Sequence, residues 1–201
     1  MREPKLRILI FDENQIRASI LKEGLAEAGC AEIAIVSELQ GLTAQVRALD
    51  PDVIFMDLQS PNRDTLEAAL EVSRAVARPV AVFVDESDPA MTEAAVDAGV
   101  SAYIVDGLKK ERVKAILDVT ISRFNAFNRL RDELASVKSE LADRRTIDRA
   151  KLHLMRSRNL TEGQAYALLR RTAMSNNCRI VDVARSILIV ADLADGNGKQ
   201  P

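Results

Sequence analysis

Five short apolar runs, separated by segments of helical periodicity, restrict the fold of this chain more than any other feature of its sequence. The runs are rich in β-branched residues and cover residues 6–11, 32–36, 53–56, 80–84 and 102–105. Four of them are nearly all apolar, as expected of parallel strands that are buried on both faces. Gly29 and Gly99 follow two of the helical segments as predicted caps. The alternation predicts an α/β fold over residues 1–122, built on a doubly wound five-stranded parallel sheet.

The strand pattern ends at about Lys109, and the chain from there to its end is predicted to be helical. Apolar residues recur at three- and four-residue spacing, which indicates one long helix whose first part, to about Phe124, covers the sheet. Beyond it, over a linker helix at 123–143, the apolar residues stand among charged neighbours, which favours a two-chain coiled coil over an ordinary amphipathic helix. The predicted dimerisation seam consists of Phe127, Leu130, Leu134, Val137 and Leu141.

A three-helix bundle is predicted for residues 144–193. The chain turns at Arg158 and Asn159, and Thr161 with Gln164 forms a capping-box pattern at the start of the next helix. That helix breaks at residues 175–177, and an apolar stripe from Ile180 predicts a third helix. The tail at 194–201 is rich in Gly and Asn and is predicted to be disordered.

Charge is distributed unevenly between the two parts of the chain. Residues 1–140 hold 17 Lys and Arg against 24 Asp and Glu, whereas residues 141–190 hold 10 against 4. A basic second part favours a polyanionic partner, although a solvated helical surface gives the same composition. There is no signal peptide and no apolar stretch of membrane-spanning length, and the two cysteines lack a metal or redox spacing. We therefore expect a cytoplasmic protein with reduced thiols and no membrane partner.

Three carboxylates follow the first and third predicted strands. Asp12 and Glu13 end one strand and Asp57 ends the other, and in a parallel sheet both ends meet at one edge. Such a cluster suits Mg²⁺, and one carboxylate could accept a phosphoryl group. The alternative is that each aspartate caps a helix. No other cofactor is expected, and the absence of a glycine-rich phosphate loop, a zinc-protease motif and a nucleophile elbow argues against an enzyme.

With these residues in place, residues 5–120 resemble the receiver domain of response regulators, which has a flavodoxin-like fold. The resemblance implies that Asp12 and Glu13 are the acidic metal pair, Asp57 the phosphoacceptor and Tyr103 the switch aromatic. Two positions depart from the family pattern. Val84 stands where receivers carry Thr or Ser, and Asp106 stands where they carry Lys. A phosphoryl group on Asp57 would thus lack its usual charge-assisted hydrogen bonds, so we expect phosphorylation not to control this protein.

Residues 146–188 resemble the ANTAR domain more specifically. The shared positions are Ala150, Lys151, Met155, Ala165, Tyr166, Leu169, Arg170, Ala173, Met174, Val183 and Ala184. With the segments DLQSPNRDTLE and AYIVDGL, the chain is similar to the AmiR/NasT-type nitrate and nitrite response antiterminators. Met155 and Met174 are interpreted as core residues.

This resemblance implies binding to paired hairpins in a nascent leader transcript, which prevents the terminator hairpin from forming. It also implies sequestration by a partner protein that senses nitrate or nitrite. The predicted RNA-binding residues are Arg149, Ala150, Lys151, Arg156, Tyr166, Arg170, Arg171 and Arg179. Two alternatives stay open. One is a DNA-binding response regulator switched by phosphorylation of Asp57, and the other is a phosphotransfer or scaffolding protein without a nucleic-acid role.

Overall fold

The computed structural model describes residues 6–59, 61, 63–105 and 109–196. The chain divides into two compact units, Met1–Arg129 and Leu130–Pro201. The strands of the first unit are β1 (Arg7–Asp12), β2 (Glu32–Val36), β3 (Val53–Asp57), β4 (Val80–Phe83) and β5 (Ala102–Ile104). Its helices are α1 (Gln15–Glu27), α2 (Leu42–Leu49), α3 (Arg63–Ala75), α4 (Pro89–Asp97) and the start of α5 (Val113–Arg158), which follows a short 3₁₀ turn. The second unit continues α5 and adds α6 (Glu162–Ser175) and α7 (Ile180–Gly196).

The five strands form one sheet in the order β2-β1-β3-β4-β5, and every neighbouring pair is parallel. This confirms the doubly wound sheet predicted from the apolar runs. β1, β3 and β4 are buried almost throughout, whereas β2 lies at the edge and is partly exposed, in keeping with its more polar sequence. The sheet therefore brings the carboxyl ends of β1 and β3 together at its centre.

Apolar layers cover both faces of the sheet. On one face the rings of Phe55 and Phe83 stack with their centroids 5.7 Å apart, and the start of α5 packs over this layer through Val113, Ile116 and Leu117. Thr120 is also buried there, and its hydroxyl donates to the carbonyl of Ile116 at 2.6 Å. The first part of α5 thus covers the sheet, as its apolar spacing predicts.

The caps and turns predicted from sequence are present. Gly29 and Gly99 adopt φ of +94° and +79° just after α1 and α4, a conformation that glycine adopts without steric cost. Asn159 turns the chain after α5 with φ of +50°. Thr161 and Gln164 form the capping box at the start of α6. α7 continues to Gly196, three residues past the boundary predicted for the disordered tail, and residues 197–201 lie outside the described residues.

Alanines dominate the core of the helical module, defined here as the end of α5 with α6 and α7. Ala150, Ala165, Ala173 and Ala184 are buried together with Leu154 and Leu169. Small side chains at these positions let the helices approach closely, and alanine loses no rotamer freedom on burial. This burial corrects the prediction that Ala150 contacts RNA, because a fully buried methyl group has no surface to offer a ligand.

In the described ranges, no helix combines the length and the apolar character that crossing a membrane requires. Cys30 is buried and Cys178 is exposed, and both are free thiols. Burial raises the pKa of the Cys30 thiol, with a smaller contribution from the nearby Asp118.

Candidate functional site

The parallel pairing of β1 with β3 places two carboxylates side by side. Asp12 and Asp57 are the last partners in this register, and their exposed fractions are 0% and 3%. Glu13 is exposed and lines a crevice of about 370 Å³ beside the pair. The structure thus joins two of the three predicted acidic residues and leaves Glu13 at the rim. Within the described residues, no three Asp, Glu, His or Cys side chains converge to form a metal site.

Arg17 lies between the two buried carboxylates. Its Nη2 is 3.1 Å from Oδ1 of Asp12 and 3.3 Å from Oδ1 of Asp57. Asn14 fixes the start of α1 at the carboxyl end of β1. Its backbone N–H donates to Oδ1 of Asp12 at 2.8 Å, and its side-chain oxygen caps the helix by accepting from the backbone N–H groups of Ile16 and Arg17. Arg17 is not among the residues predicted from the sequence, although its place about one turn into the helix after Asp12 is a signal for a cation at this site.

Burial raises the pKa of Asp57 to about 6. The positive charge of Arg17 acts in the opposite direction, and the carboxylates of Asp12 and Asp85 raise the pKa further. The backbone N–H of Gln59 donates to Asp57 and lowers the pKa slightly. Burial thus disfavours the ionised form of Asp57 more than the positive charge of Arg17 favours it, so this carboxyl takes up a proton at a higher pH than an exposed aspartate does.

The two departures from the receiver pattern fall differently in the structure. Val84 is fully buried and offers no hydroxyl just after β4. Tyr103, which matches the switch aromatic of receivers, is hydrogen-bonded to Ser87. The Oγ of Ser87 is 3.0 Å from the phenol oxygen and 3.2 Å from Oγ1 of Thr92. Asp106 lies outside the described residues. The described part of this edge thus presents a valine where the family pattern calls for a hydroxyl.

The cations of the helical module fall into two groups. Lys151 bonds both Asp148 and Glu162, at 2.8 and 2.7 Å, and so links α5 to α6. Those hydrogen bonds raise the pKa of the Lys151 ammonium and lower that of the Asp148 carboxyl. Arg179 bonds Asp182, and Arg185 bonds Asp143. By contrast, within the described residues no ion pair engages the exposed side chains of Arg149, Arg156, Arg170 or Arg171.

One exposed face of α6 combines three kinds of side chain at four-residue spacing. Tyr166, Arg170 and Met174 lie along it, with Arg171 beside them, and Tyr166 and Met174 are 45% and 72% exposed. We call these four residues the α6 face. The exposure of Met174 corrects its interpretation as a core residue. Met155 is half-buried and packs against the core, as predicted.

The predicted dimerisation seam is exposed along α5. Every residue from 129 to 142 is exposed. The seam side chains retain between 49% and 65% of their accessible surface: Phe127, Leu130, Leu134, Val137 and Leu141. Such a stripe of large apolar side chains on a helix without local packing is typical of a surface that a partner covers.

Two family models match the chain over most of its length. The model of the response regulator receiver domain matches residues 8–118, which is more than half of the chain. The ANTAR domain model matches residues 135–188. The two matches fall on the sheet unit and on the helical module.

Similar proteins match this chain over different shares of its length. The chain is 28% identical over 182 residues to the transcriptional regulatory protein PdtaR of Mycobacterium tuberculosis strain H37Rv, a match that covers 90% of this chain and 89% of that protein. It is 36% identical over 80 residues to the nitrate regulatory protein of Klebsiella oxytoca, covering 40% of this chain and 20% of that protein.

Solved structures support the fold of the sheet unit. The receiver domain of the response regulator NarL from Mycobacterium tuberculosis superposes with a TM-score of 0.50 at 19% identity, covering 59% of this chain and 98% of that one. A CheY-like receiver domain protein from Methanospirillum hungatei JF-1 gives a TM-score of 0.53 at 16% identity, covering 61% and 99%.

Asp57→Asn is expected to stabilise the protein at neutral pH. The folded-state pKa of Asp57 is raised, so its contribution to stability is present below the unfolded-state pKa and is lost as pH rises towards about 6. The amide resembles the protonated carboxyl and leaves Arg17 paired with Asp12 alone. We expect the free energy of unfolding to rise by about 1–3 kcal/mol near pH 7.5 and by clearly less near pH 4.5.

Urea denaturation followed by circular dichroism measures this difference at the two pH values. Asp118→Asn, at an exposed position on α5, is the matched control and should show no such pH dependence. An Asp57→Asn protein that is less stable than the wild type near pH 7.5 contradicts the prediction.

Proposed function

Because the chain belongs to the AmiR/NasT-type response regulators, which join a receiver domain to an ANTAR domain, we propose that it prevents transcription termination by binding paired hairpins in nascent leader RNA. The family consists of transcription regulators and not of enzymes. The observation that carries the proposal is the α6 face. Its aromatic ring, guanidinium groups and thioether are all exposed to solvent on a single helix.

The chemistry of the α6 face suits the loop of a hairpin. Loop bases are splayed out and stack on aromatic rings and guanidinium planes, and the adjacent phosphates attract cations. Arg170 and Arg171 have no ion pair within the described residues, so their charges are available to a ligand. Full burial of a methionine side chain contributes roughly 1.5–3 kcal/mol of favourable free energy. A base stacked over Met174 would gain part of that contribution.

The ion pairs of the helical module separate the stronger from the weaker candidates among the predicted RNA-binding residues. Arg149 and Arg156 are exposed on α5 and unpaired among the described residues, whereas Lys151 pairs with Asp148 on its own helix and with Glu162 on α6. We therefore propose that Lys151 acts on the module's structure more than on RNA. Arg179, paired with Asp182, is a weaker candidate than Arg170 for the same reason.

The α7 helix offers little for reading DNA bases. Its inward side chains Val181, Val183 and Ala184 are buried, and large apolar residues are exposed towards its end, including Ile189 and Val190. A recognition helix in the major groove needs polar side chains that reach base edges. We therefore prefer RNA to duplex DNA as the ligand.

We also propose that two copies of the chain pair along the exposed seam and present two modules to two hairpins. Joining two binding sites raises avidity through effective concentration without any new contact. For the target genes we propose nitrate or nitrite assimilation, on the strength of the Klebsiella oxytoca relative. For control we propose sequestration by a sensor protein that releases the regulator on binding its ligand, with the acidic receiver unit as the docking surface.

Arg170→Ala should weaken binding to a leader hairpin severalfold and flatten its salt dependence by about one unit of slope, because one phosphate contact is lost. Fluorescence anisotropy over a salt series measures both quantities. The matched control is Arg185→Ala in the same module, since Arg185 already pairs with Asp143 and should change neither. Equal affinity for the hairpin and for duplex DNA of the same sequence would point to the DNA-binding alternative.

Replacing Leu134 and Leu141 together with Lys should convert a dimer into a monomer, because two charged side chains per chain would enter the apolar seam. Light scattering at micromolar protein gives the mass with and without RNA. Ala135→Lys with Ser139→Lys adds the same charge away from the seam and should leave the dimer intact. A wild-type monomer under both conditions contradicts the proposal.

Asp57→Asn should leave read-through of the terminator unchanged, within about twofold, in a reconstituted transcription assay, since a phosphoryl group on Asp57 would lack its usual partners. Treatment with acetyl phosphate and Mg²⁺ serves as the companion measurement and should produce little stable phosphoprotein. Stoichiometric phosphorylation that changes RNA affinity severalfold would favour control by phosphorylation instead.

A further inference from the structure

The receiver pattern implies a divalent cation at the acidic edge of the sheet, but the residues present do not fit one. A magnesium ion binds oxygen ligands at about 2.1 Å in near-octahedral geometry. An ion that bridged Asp12 and Asp57 through their two Oδ1 atoms would need the space between those atoms. That space is taken by Nη2 of Arg17, which lies 3.1 and 3.3 Å from the same two oxygens. A second cation there would meet the first at short range with little water between them.

Arg17 is held in this position by local structure. The Asn14 cap fixes the first turn of α1, and the backbone N–H of Asn14 bonds the same Oδ1 of Asp12 that Arg17 contacts. The Arg17 side chain is only 21% exposed. Its charge therefore lies close to both carboxylates and is screened little by solvent.

Without Arg17, the two carboxylates would still be able to bind a cation. Oδ2 of Asp12 is fully buried and accepts no hydrogen bond within the described residues. Asp12, Asp57 and Arg17 together carry one net negative charge when both carboxylates are ionised, and the exposed Glu13 lines the same crevice. Removal of the guanidinium would leave two buried carboxylates facing each other with an unused oxygen and no counterion, an arrangement that is costly unless another cation enters.

We propose that Arg17 takes the place of the divalent metal, so that this receiver unit neutralises its acidic pair with a cation of its own chain. The acidic edge then keeps its structure whether or not Mg²⁺ is present. The proposal concerns the sheet unit alone and does not depend on RNA binding, so either can fail without the other.

The test is whether a metal site appears when Arg17 is removed. Full-length wild type, Arg17→Ala and Arg17→Gln are titrated with Mn²⁺ while the free ion is followed by electron paramagnetic resonance. Both variants should bind Mn²⁺ at least about tenfold more tightly than the wild type, because a positive charge in contact with the site has been removed. Addition of Asp12→Asn to either variant should abolish the gain. Mg²⁺ should raise the melting temperature of the variants and leave that of the wild type unchanged.

Arg47→Ala is the matched control, since it removes the same charge from an exposed position on α2 and should bind Mn²⁺ as the wild type does. Wild-type binding that is lost with Asp12→Asn would overturn the proposal, and so would folded Arg17 variants without tighter binding. If neither variant folds in metal-free buffer, refolding in Mn²⁺ decides. Recovery of the native circular dichroism spectrum supports the proposal, and failure to recover overturns it.

Discussion

The burial of two like charges side by side is the constraint on which the acidic edge of this molecule depends. Parallel pairing of β1 with β3 puts Asp12 against Asp57, and both carboxylates are buried. Such a pair persists only if a cation or a proton neutralises part of its charge. Arg17 supplies the cation, and burial raises the pKa of Asp57 to about 6 despite that positive charge. The capped start of α1 is the local structure that this neutralisation requires.

The helical module is held together by a small apolar core and by ion pairs between its helices. Its core is made largely of alanines and leucines, so the helices lie close together and little side-chain entropy is lost. The cations near this core are divided by function. Those paired with Asp143, Asp148, Glu162 or Asp182 hold helices or helix ends, whereas those on the outer side of α6 are unpaired among the described residues. Packing therefore uses one side of α6, and the contacts proposed for RNA lie on another side of the same helix.

Much of this fold could be predicted from sequence because it rests on periodicity. The five apolar runs became the five strands, and the capping box and positive-φ glycines lie where their patterns predict. The sequence does not predict the role of Arg17, because a strand-end motif identifies carboxylates, while the reach of a long side chain depends on how the next helix packs. Met174 was misjudged by residue type, although it lies off the stripe that Ala165, Leu169 and Ala173 define. Ala150 was misjudged because small size suits both close packing and ligand contact, and only burial separates them.

The close packing of alanines has a consequence for the loss-of-function mutations that a genetic screen of this protein would recover. Ala165 and Ala173 are buried on the same helix that exposes Tyr166 and Arg170. Any larger side chain at those alanines must push α6 away from its neighbours and carry the outer face with it. Loss-of-function alleles should then fall in two classes that share a phenotype. One class alters the residues proposed to contact RNA, and the other alters buried methyl groups that only glycine can replace without added bulk.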